Sequence, residues 1–339
     1  MVKPKVLIGY PVKDEIMEYV GEHCELVQMD YSKAITYDDI YERIDDVEGA
    51  VVLITPIDKK LLERGKKLKV VSNITVGYNN FDIEEMKKAG VIGTHSPGIL
   101  DDTVADFVMG LLISTARRIT ELNSFVKGGS WKKIENNHLM GLDVSGTRVG
   151  IIGMGRIGEE VARRCSLGFK MDVSYHNRSR KEGAEEEFGI SYKPMDQLLA
   201  ESDFVIILTP LTEETHHLMG EREFSLMKKN AILINASRGP VVDEKALIKA
   251  LQEERIAGAG LDVYEKEPMD GDNPLLGMDN VVLSPHIAAG TQKTYDDLAW
   301  NAARCMVRIL EGEEPVNVIP EMRDNSHFTD HNSQITIYN

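Results

Sequence analysis

The sequence is poor in cysteine, in positive charge and in long apolar runs, and each shortage excludes something. Its three cysteines, Cys24, Cys165 and Cys305, lie far apart. They offer neither a disulfide framework nor zinc-ligand spacing, and a reducing compartment fits. Lys and Arg number 39 against 55 Asp and Glu, a net charge of −16. That balance argues against non-specific binding to nucleic acid or to anionic membranes. No segment reaches the ~18 consecutive apolar residues of a membrane span. The opening MVKPKVLIGYPV holds an apolar run too short for a signal peptide. A cytoplasmic enzyme or binding protein is expected, with no metal and with neither nucleic acid nor membrane as partner.

What is present is a regular alternation. KVLIGY (5–10), ELVQMD (25–30), GAVVLIT (49–55), KVVSNIT (69–75) and VIGTHS (91–96) read as buried parallel strands. Helical patterns separate them, among them DIEEMKKAG (82–90), which ends on a glycine suited to a helix C-terminus. A second series comes after it: TRVGIIG (147–153), DVSYHN (172–177), DFVIILT (203–209), NAILINA (230–236), GAGLDV (258–263) and NVVLSPH (280–286). Two βαβ series in 339 residues mean two α/β domains. DDTVADFVMGLLISTARRITELNSFVKGG (101–129) reads as one long helix between the series, and another runs over roughly 291–311. If that last helix packs back on the first domain, the chain crosses twice, near residues 100 and 288. The expected division is 1–100 with 289–325 as one discontinuous domain, 101–288 as the other, and a polar tail over 326–339. Two crossings make a hinge, and a cleft between domains is a natural ligand site.

VGIIGMGRIGEEVARRC (149–165) runs from strand through Gly153-Met154-Gly155-Arg156-Ile157-Gly158 into a helix. Gly153 suits the tight turn, Gly155 the close approach of a pyrophosphate, and Gly158 the packing of helix on strand. Free N–H groups and the helix dipole complete an anion site. The alternative is a purely structural glycine turn.

The next strand of such a unit normally ends in an acid that takes the adenosine ribose hydroxyls of NAD and repels the 2′-phosphate of NADP. Here it ends in Asn177, followed by Arg178, Ser179, Arg180 and Lys181. Guanidinium groups match a phosphate bidentately. The turn predicts a preference for NADP(H), with NAD(H) also possible. The alternative is a solvated turn in which Asn177 still meets the ribose.

Three further stretches end strands on the edge where open α/β sheets bind ligands: NASRGPVVDEKAL (235–247), GLDVYEKEP (260–268) and SPHIAAGT (284–291). Arg238 is fit to clamp a substrate carboxylate and polarise the neighbouring carbonyl. His286 is fit to protonate the carbonyl oxygen, and Glu267 to orient His286 and favour its charged form. Taken singly, each has a bland reading as a surface or salt-bridge residue; the combination after a dinucleotide loop argues for catalysis.

With GMGRIG, PLTEETHHLM, NASRGPVVDE, LDVYEKEP and SPHIAAGT in view, the chain resembles the D-isomer-specific 2-hydroxyacid dehydrogenases over about residues 45–320. It is most similar to their glyoxylate/hydroxypyruvate reductase branch. The resemblance implies two Rossmann-like domains, a flavodoxin-like substrate domain and a doubly wound dinucleotide-binding domain. It places the family's Arg, Glu and His on Arg238, Glu267 and His286. Val76 and Gly77, in ITVGYNNFD (74–82), fall on the substrate loop. Thr103 and Asp262 fall on the nicotinamide side, and Thr209, Pro210 and Thr215 on the segment passing the cofactor ribose. Arg156, Ile157, Ala236, Ser237 and Ala288 complete the implied cofactor contacts. The activity implied is reduction of a small 2-ketoacid to the D-2-hydroxyacid by a homodimer. Asn177 departs from the acid of NAD-using members; Asn79 and Asp106 are further departures that leave the triad intact. The chain ends too early for the regulatory domain of many phosphoglycerate dehydrogenases. Other readings on the same fold are a phosphoglycerate or phosphite dehydrogenase, and a dinucleotide-sensing scaffold like the corepressors.

Overall fold

The computed structural model describes residues 2–132 and 139–323. The chain divides into two compact units, Met1–Leu100 with Thr291–Asn339, and Asp101–Gly290. The tail expected over 326–339 lies outside the described residues.

In the first unit β1 (Lys5–Ile8), β2 (Glu25–Leu26), β3 (Gly49–Val52), β4 (Val70–Asn73) and β5 (Ile92–Thr94) form one parallel sheet. The strand order is β2-β1-β3-β4-β5, the order of flavodoxin-like sheets. β3 and β4 are buried along their whole length, which is why they read as unbroken apolar runs. The helix Gln292–Leu310 packs directly on β3. A Cβ on Gly49 would stand 2.9 Å from both Leu310 Cδ1 and Met306 Cγ. Thr291 caps that helix by accepting the N–H of Thr294. The helix Ile83–Ala89 ends on Gly90 in the left-handed region, φ 70°. The run at 25–30 yields a shorter strand than its composition predicts. β2 lies at the sheet edge and has one neighbour, so its ladder stops after two residues.

The second unit is a parallel sheet of β6 (Arg148–Ile152), β7 (Asp172–His176), β8 (Ser191–Tyr192), β9 (Phe204–Ile207), β10 (Ile232–Asn235), β11 (Gly258–Leu261) and β12 (Val281–Leu283). Its order, β12-β11-β10-β9-β6-β7-β8, is the doubly wound dinucleotide-binding order extended by a strand, with the direction of winding reversing beside β6. β8 is too short at two residues to leave a periodic signal.

The single helix expected over 101–129 is two helices, Asp101–Ala116 and Ile119–Lys127. Arg118 between them is left-handed, φ 55°. The carbonyl of Ala116, which a continuing helix would use for its next turn, accepts the N–H of Leu142 instead, at 2.8 Å. The Arg118 guanidinium fixes the break by donating to both carboxylate oxygens of Glu121, at 2.7 and 2.6 Å. The first helix is buried against the sheet: a Cβ on Gly260 of β11 would meet Leu111 Cγ at 2.8 Å. Ile119–Lys127 buries none of its residues. No helix among the described residues is long and apolar enough to cross a membrane.

Candidate active site

β6 delivers the chain to Gly153, whose φ of 100° is open only to glycine without strain. A Cβ there would also stand 2.8 Å from Leu208 C and Thr209 N. The Gly153 N–H donates to His176 O at 2.9 Å and ties the loop to the end of β7. Gly158 opens the helix Arg156–Arg163 at a point where a Cβ would lie 2.4 Å from Gly153 O, so helix and loop touch backbone to backbone. Gly155, by contrast, faces open space: a Cβ there would meet nothing within 4 Å. A side chain is excluded at two of the glycines by the protein and is absent at the third where a ligand needs room. Thr209 Oγ1, on the neighbouring loop, is buried without a hydrogen-bond partner among the described residues. An unsatisfied buried hydroxyl calls for an explanation. A bound dinucleotide supplies one, and the helix N-terminus suits its pyrophosphate.

The remaining expected cofactor residues divide. Arg156 turns its Nε to Asp101 Oδ2, 2.8 Å away. Ile157 is next to it on the helix, and Thr103 lies in the first turn of Asp101–Ala116. Thr215 spends its hydroxyl inside its own loop, accepting from Thr212 N at 2.8 Å and donating to Pro210 O at 2.6 Å. Beyond β7, Asn177 Nδ2 donates to Ser179 O at 3.1 Å, and Arg178 and Ser179 are exposed. Val76 and Gly77 lie in the loop after β4 of the first unit. There Val76 O stands 2.9 Å from His95 Nδ1, and Gly77 O accepts from Asn73 Nδ2 at 2.9 Å.

Arg238, Glu267 and His286 come from the ends of three adjacent strands, β10, β11 and β12. Asn235 closes β10 and shapes the turn into Arg238. Its Oδ1 accepts from Ser237 N at 3.1 Å and Ser237 Oγ at 2.9 Å, while Nδ2 donates to Arg238 O at 3.2 Å. Ala236 is bracketed within that turn. Arg238 Nη1 donates to Ser237 O at 2.7 Å. Burial pulls the Arg238 pKa down, opposed by the charge of Glu267. Gly239 then lies flush on the next loop: a Cβ on it would be 1.8 Å from Tyr264 O.

Glu267 Oε1 accepts the N–H of Tyr264 at 3.0 Å. Its Oε2 lies 2.7 Å from His286 Nδ1. Burial pushes this carboxyl up, yet the His286 and Tyr264 hydrogen bonds and the charges of His286 and Arg238 together hold it below its usual value. His286 itself is left-handed, φ 52°, an uncommon conformation outside glycine. Asp262, wholly buried, holds it there. The Asp262 carbonyl accepts His286 N at 2.8 Å. Its Oδ1 accepts Ser284 Oγ at 2.7 Å and Ile287 N at 2.9 Å, and its Oδ2 accepts Ala288 N at 2.9 Å. Asp262 therefore organises the histidine loop. With Nδ1 facing Glu267, Nε2 is the ring nitrogen left for a substrate. Asn235, Tyr264 and Ser284, the residues that shape these loops, escaped the sequence reading. Their signal is the polar residue at a strand-to-turn junction, which reads as ordinary turn chemistry.

The sequence pattern of the D-isomer specific 2-hydroxyacid dehydrogenase NAD binding domain matches residues 109–288. The chain is 43% identical over 320 residues to the glyoxylate reductase of Korarchaeum cryptofilum, covering 94% of this chain and 96% of that one. The chain belongs to the D-isomer specific 2-hydroxyacid dehydrogenase family. This dehydrogenase is also 42% identical to the glyoxylate/hydroxypyruvate reductase B of an Enterobacter species, over 94% of its own length and 98% of that protein's. Among solved structures it resembles the NADPH-dependent glyoxylate/hydroxypyruvate reductase of Sinorhizobium meliloti in complex with NADP and malonate. That likeness has a TM-score of 0.82 at 30% identity, covering 94% of this chain and 97% of the other. As a family member, the chain is an oxidoreductase with an NAD-binding domain. Among the described residues of this dehydrogenase, no group of three or more His, Cys, Asp and Glu is placed to hold a metal ion.

Proposed function

We propose that this dehydrogenase reduces a small 2-ketoacid of the glyoxylate or hydroxypyruvate type to the D-2-hydroxyacid, with NADP(H) preferred over NAD(H). The observation that carries the proposal is the Glu267–His286 pair, 2.7 Å apart, at strand ends that also present the half-buried Arg238. The nicotinamide, when bound, supplies the hydride. Arg238 receives the substrate carboxylate through its planar fork and orients the adjacent carbonyl. His286 delivers a proton from Nε2 to the carbonyl oxygen, and Glu267 favours the protonated ring through Nδ1. Asp262 keeps the histidine loop in register. Residues 101–288 take the dinucleotide, and 1–100 with 289–325 take the substrate.

The cofactor preference is supported by Asn177, which lacks the carboxylate that would repel a 2′-phosphate, and by the exposed Arg178 beside it. The NADPH-dependent Sinorhizobium reductase favours the same reading. A cytoplasmic homodimer is proposed as well. The helix Ile119–Lys127 has no fully buried residue among the described residues and exposes Ile119 and Val126, with Trp131 and Met140 exposed nearby in sequence. Such a face suits a second copy.

The test is turnover of glyoxylate, hydroxypyruvate, pyruvate and 2-ketogluconate with NADPH and with NADH. Reduction of glyoxylate or hydroxypyruvate, faster with NADPH, is expected. Dinucleotide binding without turnover of any of the four would favour a sensing scaffold instead.

A further inference from the structure

The basic turn after β7 is less positive than its sequence. Arg180 is gripped by Glu185, its Nε donating to Oε1 at 3.1 Å and its Nη2 to Oε2. Glu185 is the rigid member. It sits on the helix Glu182–Phe188 with its side chain 15% exposed, against 59% for Arg180. The buried Tyr175 of β7 also donates its hydroxyl to Glu185 Oε1 at 2.6 Å and accepts the Lys181 N–H at 2.6 Å. Lys181 Nζ in turn lies 3.4 Å from Glu159 on the helix Arg156–Arg163. Two of the three cations downstream of Asn177 are thus paired with carboxylates of the same unit. Arg178 makes no ion pair among the described residues. Its charge is felt by Glu214, whose carboxyl is held below its usual value first by Thr212, then by its own N–H, with Arg178 adding to both.

We propose that Glu185 withdraws Arg180 from the 2′-phosphate of NADP(H), so that Arg178 carries the discrimination and Glu185 limits it. The inference rests on the NADP(H) reading of the site. A guanidinium that spends its Nε and Nη2 edge on a carboxylate has already used one of its forks. The pair is also electrically neutral and offers an incoming dianion no net attraction. Held by both Arg180 and Tyr175, the Glu185 carboxyl is kept below its usual value.

The test is calorimetric binding of NADP+ and NAD+ to the full chain, with 2′-AMP and 5′-AMP as fragments that isolate the phosphate. Glu185→Gln keeps an oxygen for Tyr175 and Arg180 but removes the charge. It should tighten NADP+ and 2′-AMP roughly two- to fivefold, the range of an exposed ion pair, and leave NAD+ and 5′-AMP unchanged. Arg180→Ala alone should weaken NADP+, because it leaves Glu185 uncompensated. The neutral double variant, Arg180→Ala with Glu185→Gln, should return NADP+ to within about twofold of the wild type. NAD+ binding reports that each variant is folded. If the double variant loses NADP+ as heavily as Arg178→Ala, or if Glu185→Gln binds NADP+ no tighter, Arg180 grips the phosphate directly and the inference is overturned. If Arg178→Ala leaves both NADP+ and 2′-AMP unaffected, the NADP(H) reading itself fails, whatever the Glu185 variants do.

Discussion

Glu267 Oε2 and His286 Nδ1 are 2.7 Å apart although the residues stand 19 positions apart in sequence, on loops that leave neighbouring strands. The pairing sets one expectation for stability in acid and one for activity. Glu267 is held below its usual 4.5. Its folded value lies under its unfolded one, so the stabilisation it provides is present above pH 4.5 and is lost as pH falls through the folded value. Glu267→Gln should therefore show a flatter loss of stability in acid. Its activity should fall as well, because the ring loses the carboxylate that holds Nδ1 at 2.7 Å and leaves Nε2 for the substrate. His286→Ala should cut kcat by about 100- to 10,000-fold with little change in dinucleotide binding. Superimposable acid-unfolding profiles for wild type and Glu267→Gln would contradict the pairing.

Arg238→Lys keeps the charge and should still cripple the enzyme. Lysine cannot fork onto a carboxylate, and a misplacement of about 1 Å can cost ~100-fold. The wild-type side chain is half-buried and braced on Ser237 O at 2.7 Å, a contact that an ammonium on a different stem cannot reproduce together with the clamp. The measurement is kcat/KM for the best 2-ketoacid. An unchanged value would remove Arg238 from the carboxylate site.

Gly239→Ala tests how tightly the Arg238 and Glu267 loops are pressed together. The added methyl would fall 1.8 Å from Tyr264 O and 2.6 Å from Glu265 N, both backbone atoms that cannot turn aside. Overpacking of this kind typically costs about 1–3 kcal/mol. Thermal unfolding should shift down, and kcat/KM should fall further than stability alone explains, because Arg238 and Glu267 move together. A variant with wild-type stability and activity would mean that the loops yield at no cost.

The two parallel sheets and the three strand-end residues were legible because each rests on a local pattern: an apolar run, a glycine turn, a polar residue at a strand terminus. What the pattern could not carry was pairwise. The break at Arg118 depends on Leu142 taking the carbonyl of Ala116, a contact between distant positions in a stretch whose periodicity reads as one helix. The role of Asp262 as anchor of the His286 loop depends on three donors brought in by a different strand end. Arg180 reads as a free cation in YHNRSRKE, and only the helix Glu182–Phe188 turning back over β7 brings Glu185 to it.

The Arg180–Glu185 pair changes how the cofactor turn should be engineered. Arg178 and Arg180 are equivalent in sequence, but with Arg180 held by Glu185 the loss should be concentrated in Arg178→Ala. A well-formed charge-assisted hydrogen bond is worth ~1.5–3 kcal/mol, or roughly 10- to 150-fold, and exposure at the strand end should draw the value toward the lower figure. Adding Asn177→Asp should go further. It places a carboxylate beside the 2′-phosphate and supplies the ribose acceptor that NADH uses, so the preference should invert and not merely fade. The cost is the Asn177 Nδ2 bond to Ser179 O, 3.1 Å in the wild type, which an aspartate cannot make. The NADPH loss should shrink at high salt, since exposed charges are screened over ~10 Å at 0.1 M. The measurement is kcat/KM for both cofactors in wild type, Arg178→Ala and the Asn177→Asp/Arg178→Ala double variant, at two ionic strengths. A wild type that already prefers NADH, or an Arg178→Ala variant that loses both cofactors equally, would return the turn to a solvated loop with no part in cofactor choice.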